Sequence, residues 1–314
     1  MLRAMLDRML TIALNTYREA VRARLLLAIF ALALATCAYS LVIATLSLHN
    51  EPRVVADLSA ASMSLYGVIV SIALGSTCLY RELEHKTIFP ILSRPITRWE
   101  YLLGKYFGMI LTVSVFIGVD AAASLTMLAI EAGQWPTRVA VGLGVDALAL
   151  VALLFAARRG RVFVAIPLAP VTVLVAFFLA SPAPDERRLI LASAALAVCE
   201  VGIVTSVATL FSSFSSPVLT ATFTAMVFVI GRSTDTMARL PAKALGPAIA
   251  ATSHALARVL PNLNVYVPAR TLLLGHSPAI AVWPYVGMAA AQAIAYSSVL
   301  LVVGILAFRR RDFS

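Results

Sequence analysis

Charged side chains are scarce in this sequence. Of its 314 residues, 13% are Asp, Glu, Lys or Arg, whereas 61% are hydrophobic, and the mean hydropathy is +0.92. A soluble domain of ordinary composition carries about 25% charged residues, so the polar side chains here are too few to cover a water-facing globule. This shortage excludes a typical soluble protein and predicts a polytopic membrane protein.

Cysteine and histidine are few, and the common catalytic motifs are absent. The three cysteines have no C-x-x-C spacing and the four histidines form no pair at ligand spacing. No phosphate-binding loop, H-E-x-x-H or G-x-S-x-G occurs, and the one Gly-Lys pair, Gly104-Lys105, lacks an upstream glycine. We therefore expect no metal or other cofactor on this chain, no enzymatic activity and no ATP hydrolysis by the chain alone.

Long apolar runs are abundant instead. Each is continuously apolar for about 20 residues, which predicts membrane-spanning helices rather than strands. Eight runs lie at about 25–47, 59–80, 106–130, 139–157, 162–180, 189–211, 216–231 and 284–308. The first run is nearly twice as long as a signal-peptide core and is expected to be an uncleaved span. The fold predicted is all-α, with about eight transmembrane helices.

The basic residues predict the orientation of these spans. With the N-terminus in the cytoplasm, sixteen Lys and Arg residues fall in cytoplasmic segments and nine fall outside. Cytoplasmic loops carry the excess of basic residues, so both termini are expected to be cytoplasmic. The same distribution explains the net charge of +10 without nucleic acid, which we do not expect as a partner.

Residues 1–24 form a separate amphipathic element. At 100° per residue, charged and polar side chains from Arg3 to Arg22 gather on one face, and Met and Leu side chains gather on the other. This pattern predicts a helix lying along the membrane surface, with a helix packed on a soluble partner as the alternative. A second non-spanning segment, 232–283, is proline-interrupted but apolar, and predicts short helices at the outer surface.

The segment 81–105 is a dense polar loop between the second and third runs. After a short predicted helix, Arg94-Pro95 breaks the chain because the residue before a proline is pushed out of the helical region. Thr97 and Glu100 then match a capping box that starts the next helix. The loop is therefore expected to be stiff, which favours a docking element for a soluble partner over an ordinary solvated loop.

Three carboxylates lie within apolar runs: Asp120, Asp146 and Glu200. A carboxylate at the bilayer centre costs about 2.5–3.5 kcal/mol, so each is expected to face a neighbouring helix, a cavity or a partner charge. For Asp120 and Asp146 contact between helices is favoured. For Glu200 a role in translocation and simple packing are equally open.

The order of these features resembles that of the membrane permeases of type-2, exporter-like ABC transporters. The resembling stretches are NTYREAVRARLL near the start, YRELEHKTIFPILSRPITRWEYLLGKYFG after the second run, SSFSSPVLTATFTAMVFVIG at 212–231, LPNLNVY at 260–266, and the terminal FRRRDF. SSFSSP and LPNL also resemble permeases that accompany nitrous-oxide reductase maturation. The family core has six spans, so the 139–180 pair departs from it as an inserted hairpin.

The resemblance implies a function and a partner. Residues 25–314 would form a permease domain in a bacterial inner membrane, residues 1–24 its elbow helix, and roughly 82–93 its coupling helix. A separate cytoplasmic ATPase, carrying ATP and Mg, would dock on that helix, and a second permease copy, identical or not, would complete the transporter. The implied docking residues are Glu82, Glu84, Lys86, Ile88, Phe89, Ile91 and Arg94.

Two other functions remain open from the residues. A proton- or ion-coupled secondary transporter could use Asp120, Asp146 and Glu200, although such carriers often contain inverted repeats and the two halves show no convincing self-similarity. A membrane assembly factor without transport could use the loop merely to recruit a soluble protein. The sequence does not indicate a substrate.

Overall fold

The computed structural model describes residues 2–47, 50–84, 97–134, 137–156, 161–238, 252, 255, 260–268 and 281–309. Within these ranges the chain is all-helical and contains no strand. Its α-helices are α1 Leu2–Val21, α2 Arg24–Ala44, α3 Glu51–Glu84, α4 Arg98–Ala129, α5 Thr137–Ala156, α6 Ala165–Leu179, α7 Pro184–Ser212, α8 Pro217–Arg232, α9 Thr234–Ala238 and α10 Val282–Arg309. A π-helical turn, Ile130–Gln134, extends α4, and short 3₁₀ helices cover Arg161–Val164 and Leu263–Tyr266.

Six of these helical segments are long and apolar enough to cross a membrane. They are Arg24–Ala44, Glu51–Cys78, Arg98–Gly133, Val162–Leu179, Pro184–Ser212 and Val282–Phe308. The apolar parts of α5 and α8, Val139–Leu153 and Pro217–Arg232, are shorter. The architecture is that of an all-α, multi-pass membrane protein, as predicted, and the count of eight crossings stays a prediction.

Helices α3, α4 and α7 form the centre of the bundle. More than half of the residues in their most apolar windows are buried, against fewer than a third in α2, the α6 segment and α10. Helices α3 and α7 run parallel and approach closely, because a Cβ on Gly75 would lie 2.4 Å from the Cβ of Ala208. The peripheral helices turn Leu, Val and Phe side chains outward, as lipid-facing helices do.

Basic residues collect at one end of this bundle, which we call the α1 face. There the start of α4 meets the end of α10, where Arg98 Nη1 donates to the Phe308 carbonyl at 3.5 Å, and α1 packs along the first turns of α4. The helix termini at this face carry Arg18, Arg22, Arg24, Arg98, Lys105, Arg161 and Arg309 among others. The other end, the opposite face, carries Arg53, Arg138, Arg187 and Arg188.

Two helices extend further than the hydrophobic runs predict. Helix α3 begins at Glu51 and continues to Glu84, beyond the predicted 59–80, and α4 begins at Arg98 rather than near residue 106. The predicted capping box accounts for the second difference, since it starts α4 at Thr97, before the apolar run. Both helices that leave the 81–105 loop are therefore longer than a bilayer crossing requires.

Candidate functional site

Glu200 lies at the centre of a buried ion pair. Its carboxylate, on α7, is completely buried, and Arg232 Nη2 lies 2.8 Å from Oε1 and 3.0 Å from Oε2, with hydrogen-bond geometry to Oε2. Ser64 on α3 donates to the same Oε2 at 2.8 Å and accepts from Arg232 at 2.6 Å. Three helices thus meet at one charge-assisted hydrogen-bond network.

The shortness of α8 explains how Arg232 reaches this pair. The helix has 16 residues and measures about 24 Å, against about 30 Å for the hydrocarbon core. It therefore ends near the level of Glu200, and Arg232, its last residue, points back into the bundle. The guanidinium also lies at a helix C-terminus, where the helix dipole favours a positive charge.

A cavity of about 400 Å³ lies beside the ion pair. It runs from Asp57, exposed near the start of α3, to Ser64 and Arg232, and Tyr266 forms part of its wall. The Arg232 side chain is 23% exposed, whereas Glu200 is covered completely. A polar or charged molecule entering from the opposite face therefore meets a guanidinium whose counter-charge lies behind it.

Residues 260–268, which contain the short 3₁₀ helix Leu263–Tyr266 but no α-helix, close one side of the cavity. The carboxylate of Asp235 accepts from the side-chain amides of Asn262 at 2.8 Å and Asn264 at 3.0 Å. The Tyr285 hydroxyl donates to the Val265 carbonyl at 2.6 Å. Irregular backbone inside a membrane is tolerated where it is buried in protein or lines a cavity. This segment lines the cavity, and these hydrogen bonds hold it to the neighbouring helices.

Asp120 forms a second buried cluster. It is completely buried on α4, and it accepts from the Cys37 thiol of α2 at 3.2 Å and from the Ser62 hydroxyl of α3 at 3.4 Å. Cys37 also lies 3.2 Å from the Ser124 hydroxyl. These contacts join three helices, which agrees with the packing role expected for Asp120 and gives Cys37 a polar contact that its apolar run does not suggest.

Asp146 belongs to neither cluster. It lies on the peripheral helix α5, whose apolar side chains, such as Leu148, are largely exposed. Its buried Oδ1 has no hydrogen-bond partner among the described residues. The structure therefore does not bring Asp146 together with Asp120 and Glu200, and the interhelical packing expected for it stays a prediction.

An ionic brace ties α1 to the start of α4. The Thr97 amide donates to Glu100 Oε2 at 2.9 Å, as expected for the capping box, and Arg8 Nη2 donates to Oε1 at 2.8 Å. The Glu100 side chain is 3% exposed and Arg8 is 34% exposed. One carboxylate thus fixes both the first turn of α4 and the position of α1.

The rest of α1 packs closely along α4. A Cβ on Gly108 would lie 2.5 Å from the Ala13 carbonyl oxygen, so the two helices touch through backbone. Lys105 Nζ, almost fully buried, lies 3.9 Å from Glu19 Oε2. Tyr17 stacks on Phe163, and burial raises the pKa of its phenol. Helix α1 is therefore held to the bundle by packing as well as charge.

The predicted docking residues lie at the edge of the described structure or beyond it. Glu82 and Glu84 belong to the last turn of α3, which continues to Glu84. The remaining five fall outside the described residues: Lys86, Ile88, Phe89, Ile91 and Arg94. The coupling helix at about 82–93 therefore stays a prediction.

Several functional candidates were missed from sequence. Hydropathy places Arg232 in the outer segment 232–283, yet it is the counter-charge of Glu200. Helical periodicity places Arg8 on the polar face of the 1–24 helix but does not indicate that it binds Glu100. One signal was available for Arg232, because a basic residue directly after a run too short to cross is well placed to turn inward. No comparable signal marked Ser64 or Cys37.

No protein-family model matches this chain, and no curated protein matches it. The two buried clusters and the brace are therefore the basis on which a function is assigned.

Proposed function

We propose that this chain is the membrane permease subunit of an ATP-driven, exporter-like transporter of the type-2 ABC class. A separate cytoplasmic ATPase, with its ATP and Mg, docks on the 81–105 loop, and a second permease copy completes the assembly. One observation carries the proposal: the two helices that leave this loop, α3 and α4, are long and unbroken, and both reach the buried polar clusters.

The dimensions of α3 suit the transmission of force. Its 34 residues measure about 51 Å, and Ser64 lies about 30 Å from Glu84 along the axis. The helix contains no proline between these points and stays continuous through Gly67 and Gly75, so a displacement of its loop end moves Ser64. On α4, Asp120 lies about 33 Å from the capped start at Arg98, and the same reasoning applies.

The brace gives the loop a fixed base. An ATPase can do work on the membrane helices only if the loop it grips does not yield. The hydrogen bonds of Glu100 to Thr97 and Arg8 stiffen the start of α4 where the loop ends. A solvated loop whose basic residues only reflect the positive-inside rule does not require such a support.

The collection of basic residues at the α1 face supports a cytoplasmic location for that face. Cytoplasmic segments are enriched in Lys and Arg, and the described helix termini at this face carry more of them than those at the opposite face. The termini and the 81–105 loop are then in the cytoplasm of a bacterial cell, and the 400 Å³ cavity faces outward.

Co-purification tests the proposal. Tagged protein is isolated in detergent and compared with a Glu84→Ala/Phe89→Ala variant. The wild type is expected to retain an ATPase that the variant loses. A matched control, Leu46→Ala/Glu131→Ala, removes one large apolar and one acidic side chain at the opposite face and is expected to retain it. Wild-type protein that purifies without any ATPase, at low salt and with nucleotide present, contradicts the proposal.

The buried ion pair favours one second candidate, an ion-coupled secondary transporter. Glu200 and Arg232 lie beside a cavity, and paired charges at membrane depth mark ion or proton pathways in carriers. This candidate requires transport by the chain reconstituted without any ATPase. It also requires that Glu200→Gln abolish that transport while Asp146→Asn, outside both clusters, leaves it intact.

A further inference from the structure

A wide cavity lies at the α1 face, away from both polar clusters. It has a volume of about 860 Å³ and is formed where α1 ends, α2 begins and the second half of α3 passes. We call it the α1 crevice. Its lining includes Arg18, Arg22 and Arg24 from the end of α1 and the start of α2, and Val70 and Leu74 from α3.

One part of the α1 crevice is basic. Arg18, Arg22 and Arg24 are exposed, and none of them forms an ion pair or hydrogen bond with the described residues. The acidic member of the lining, Glu19, lies 3.9 Å from Lys105, which partly neutralises it. The crevice therefore presents three guanidinium groups that are not satisfied by the described part of the chain.

The other part of the crevice is apolar. Leu25, Leu26 and Ile29 line it from α2, and Val70, Ala73 and Leu74 line it from α3. Since α2 begins at Arg24, this apolar wall starts at the edge of the membrane and Ile29 lies about 7 Å deeper. Guanidinium groups at the rim and aliphatic walls below reproduce the polarity of a phospholipid, headgroup outward and chain inward.

From this arrangement we propose that the α1 crevice binds one anionic phospholipid. Its phosphate, and any further negative headgroup charge, is held by Arg18, Arg22 and Arg24, and part of one acyl chain lies between α2 and α3. Arginine binds phosphate bidentately, and each basic residue near a membrane surface strengthens binding to anionic lipid. An acidic protein segment would satisfy the arginines and leave the apolar wall uncovered, so a lipid fits better.

The proposal is independent of the ATPase partner. It uses contacts within one chain, and binding to defined lipids can be measured in micelles without reference to membrane sidedness. The lipid would join the end of α1 to α2 and α3, beside the Glu19–Lys105 contact between α1 and α4. It would thereby add a contact between the surface helix and the helix that leads to the 81–105 loop.

The test is a lipid titration of the full-length protein in dodecyl maltoside micelles, read by native mass spectrometry. Dioleoyl phosphatidylglycerol is compared with dioleoyl phosphatidylcholine. The wild type is expected to prefer the anionic lipid at least about tenfold. Removing three charges by Arg18→Gln/Arg22→Gln/Arg24→Gln is expected to weaken its binding on the order of a hundredfold, from about fivefold for each charge.

A matched triple variant separates the crevice from general charge. Arg3→Gln/Arg53→Gln/Arg188→Gln removes the same charge from exposed positions outside the lining, and its affinity is expected to stay within about twofold of the wild type. Equal losses in the two triple variants would overturn the proposal, because they would indicate diffuse attraction rather than a site. Equal binding of the two lipids by the wild type would overturn it as well.

A variant that leaves the charge unchanged tests the apolar wall proposed to contact the acyl chain. Ala73→Phe fills the apolar part of the crevice without touching the arginines, and it is expected to weaken phosphatidylglycerol binding at least about tenfold. Inorganic phosphate serves as the competing probe. Unchanged lipid binding in Ala73→Phe, together with displacement of the lipid by millimolar phosphate, would contradict the proposal and indicate a site for free anions. An unfolding midpoint within about 3 °C of the wild type verifies that the variants are folded.

Discussion

Breaking the Glu200–Arg232 pair should destabilise the bundle in a specific pattern. Arg232→Gln leaves the Glu200 carboxylate, which is completely buried, without its cation, and Glu200→Gln leaves a guanidinium that is still 23% exposed to the cavity. Removing one partner of a buried pair costs about 3–5 kcal/mol, because the remaining charge stays buried and uncompensated. We expect Arg232→Gln to reach this range and Glu200→Gln to cost about 1–3 kcal/mol, since Arg232 can gain water.

The double variant provides the decisive comparison. Glu200→Gln/Arg232→Gln contains no buried charge, and its two amides can hydrogen-bond with each other and with Ser64. We therefore expect it to be less destabilised than the sum of the single variants by at least about 2 kcal/mol. The exposed pair Arg53–Asp57, whose atoms are 3.8 Å apart, provides the control, and Arg53→Gln should cost about 0.5 kcal/mol or less.

The assay is thermal unfolding in detergent, followed by a thiol-reactive fluorophore. Cys78 and Cys199, which are partly exposed, are replaced by alanine in every variant, so that Cys37, which is 2% exposed, is the thiol that reacts when the helices separate. At about 2–4 °C per kcal/mol, Arg232→Gln should lower the midpoint by on the order of 10 °C. The reasoning fails if the double variant equals the sum of the single variants, or if Arg232→Gln shifts the midpoint no more than Arg53→Gln does.

Three further predictions concern α1 and the cavity wall. Gly108→Ala should lower the unfolding midpoint and expose α1 to protease, because its new Cβ would lie 2.5 Å from a backbone oxygen of α1; Gly118→Ala, whose Cβ meets a neighbour at 3.4 Å, should leave both unchanged. Arg8→Gln should cost about 1–3 kcal/mol by leaving the buried Glu100 with one partner fewer, seen as faster hydrogen exchange in the first turns of α4. Asp235→Ala should speed hydrogen exchange across residues 260–268, which carry its partners Asn262 and Asn264. Unchanged exchange there would contradict the role of Asp235 in holding this side of the cavity.

The elements that depend on local sequence could be predicted from it. Apolar runs located the helices because a membrane span must satisfy its own backbone hydrogen bonds and so forms a helix wherever the run is long enough. The capping box at Thr97 and Glu100 was predictable for a similar reason, since both of its partners lie within one turn.

The charge partners could not be predicted, because they depend on how separate helices pack. Glu200 and Arg232 are on different helices, and they meet because α8 ends early and α7 runs beside it at one particular height. A hydropathy pattern predicts that an arginine at the end of an apolar run is exposed to water. The hydrogen bond from the Cys37 thiol to Asp120 likewise depends on how α2 packs on α4.

The position of α3 links the two clusters to the proposed transmission of force. Ser62 and Ser64 are two residues apart, hence about 200° apart around the helix, so Ser62 faces Asp120 and Ser64 faces Glu200. Helices α3 and α7 touch at Gly75 and Ala208, so a displacement of α3 carries Glu200 with it. Helix α8 ends at Arg232 and turns apolar side chains such as Val218 and Val229 outward, which leaves it less firmly packed. On the proposed function, movement of the loop would therefore separate Arg232 from Glu200 before it separates Ser64 from Glu200, and the cavity would be the first place to change shape.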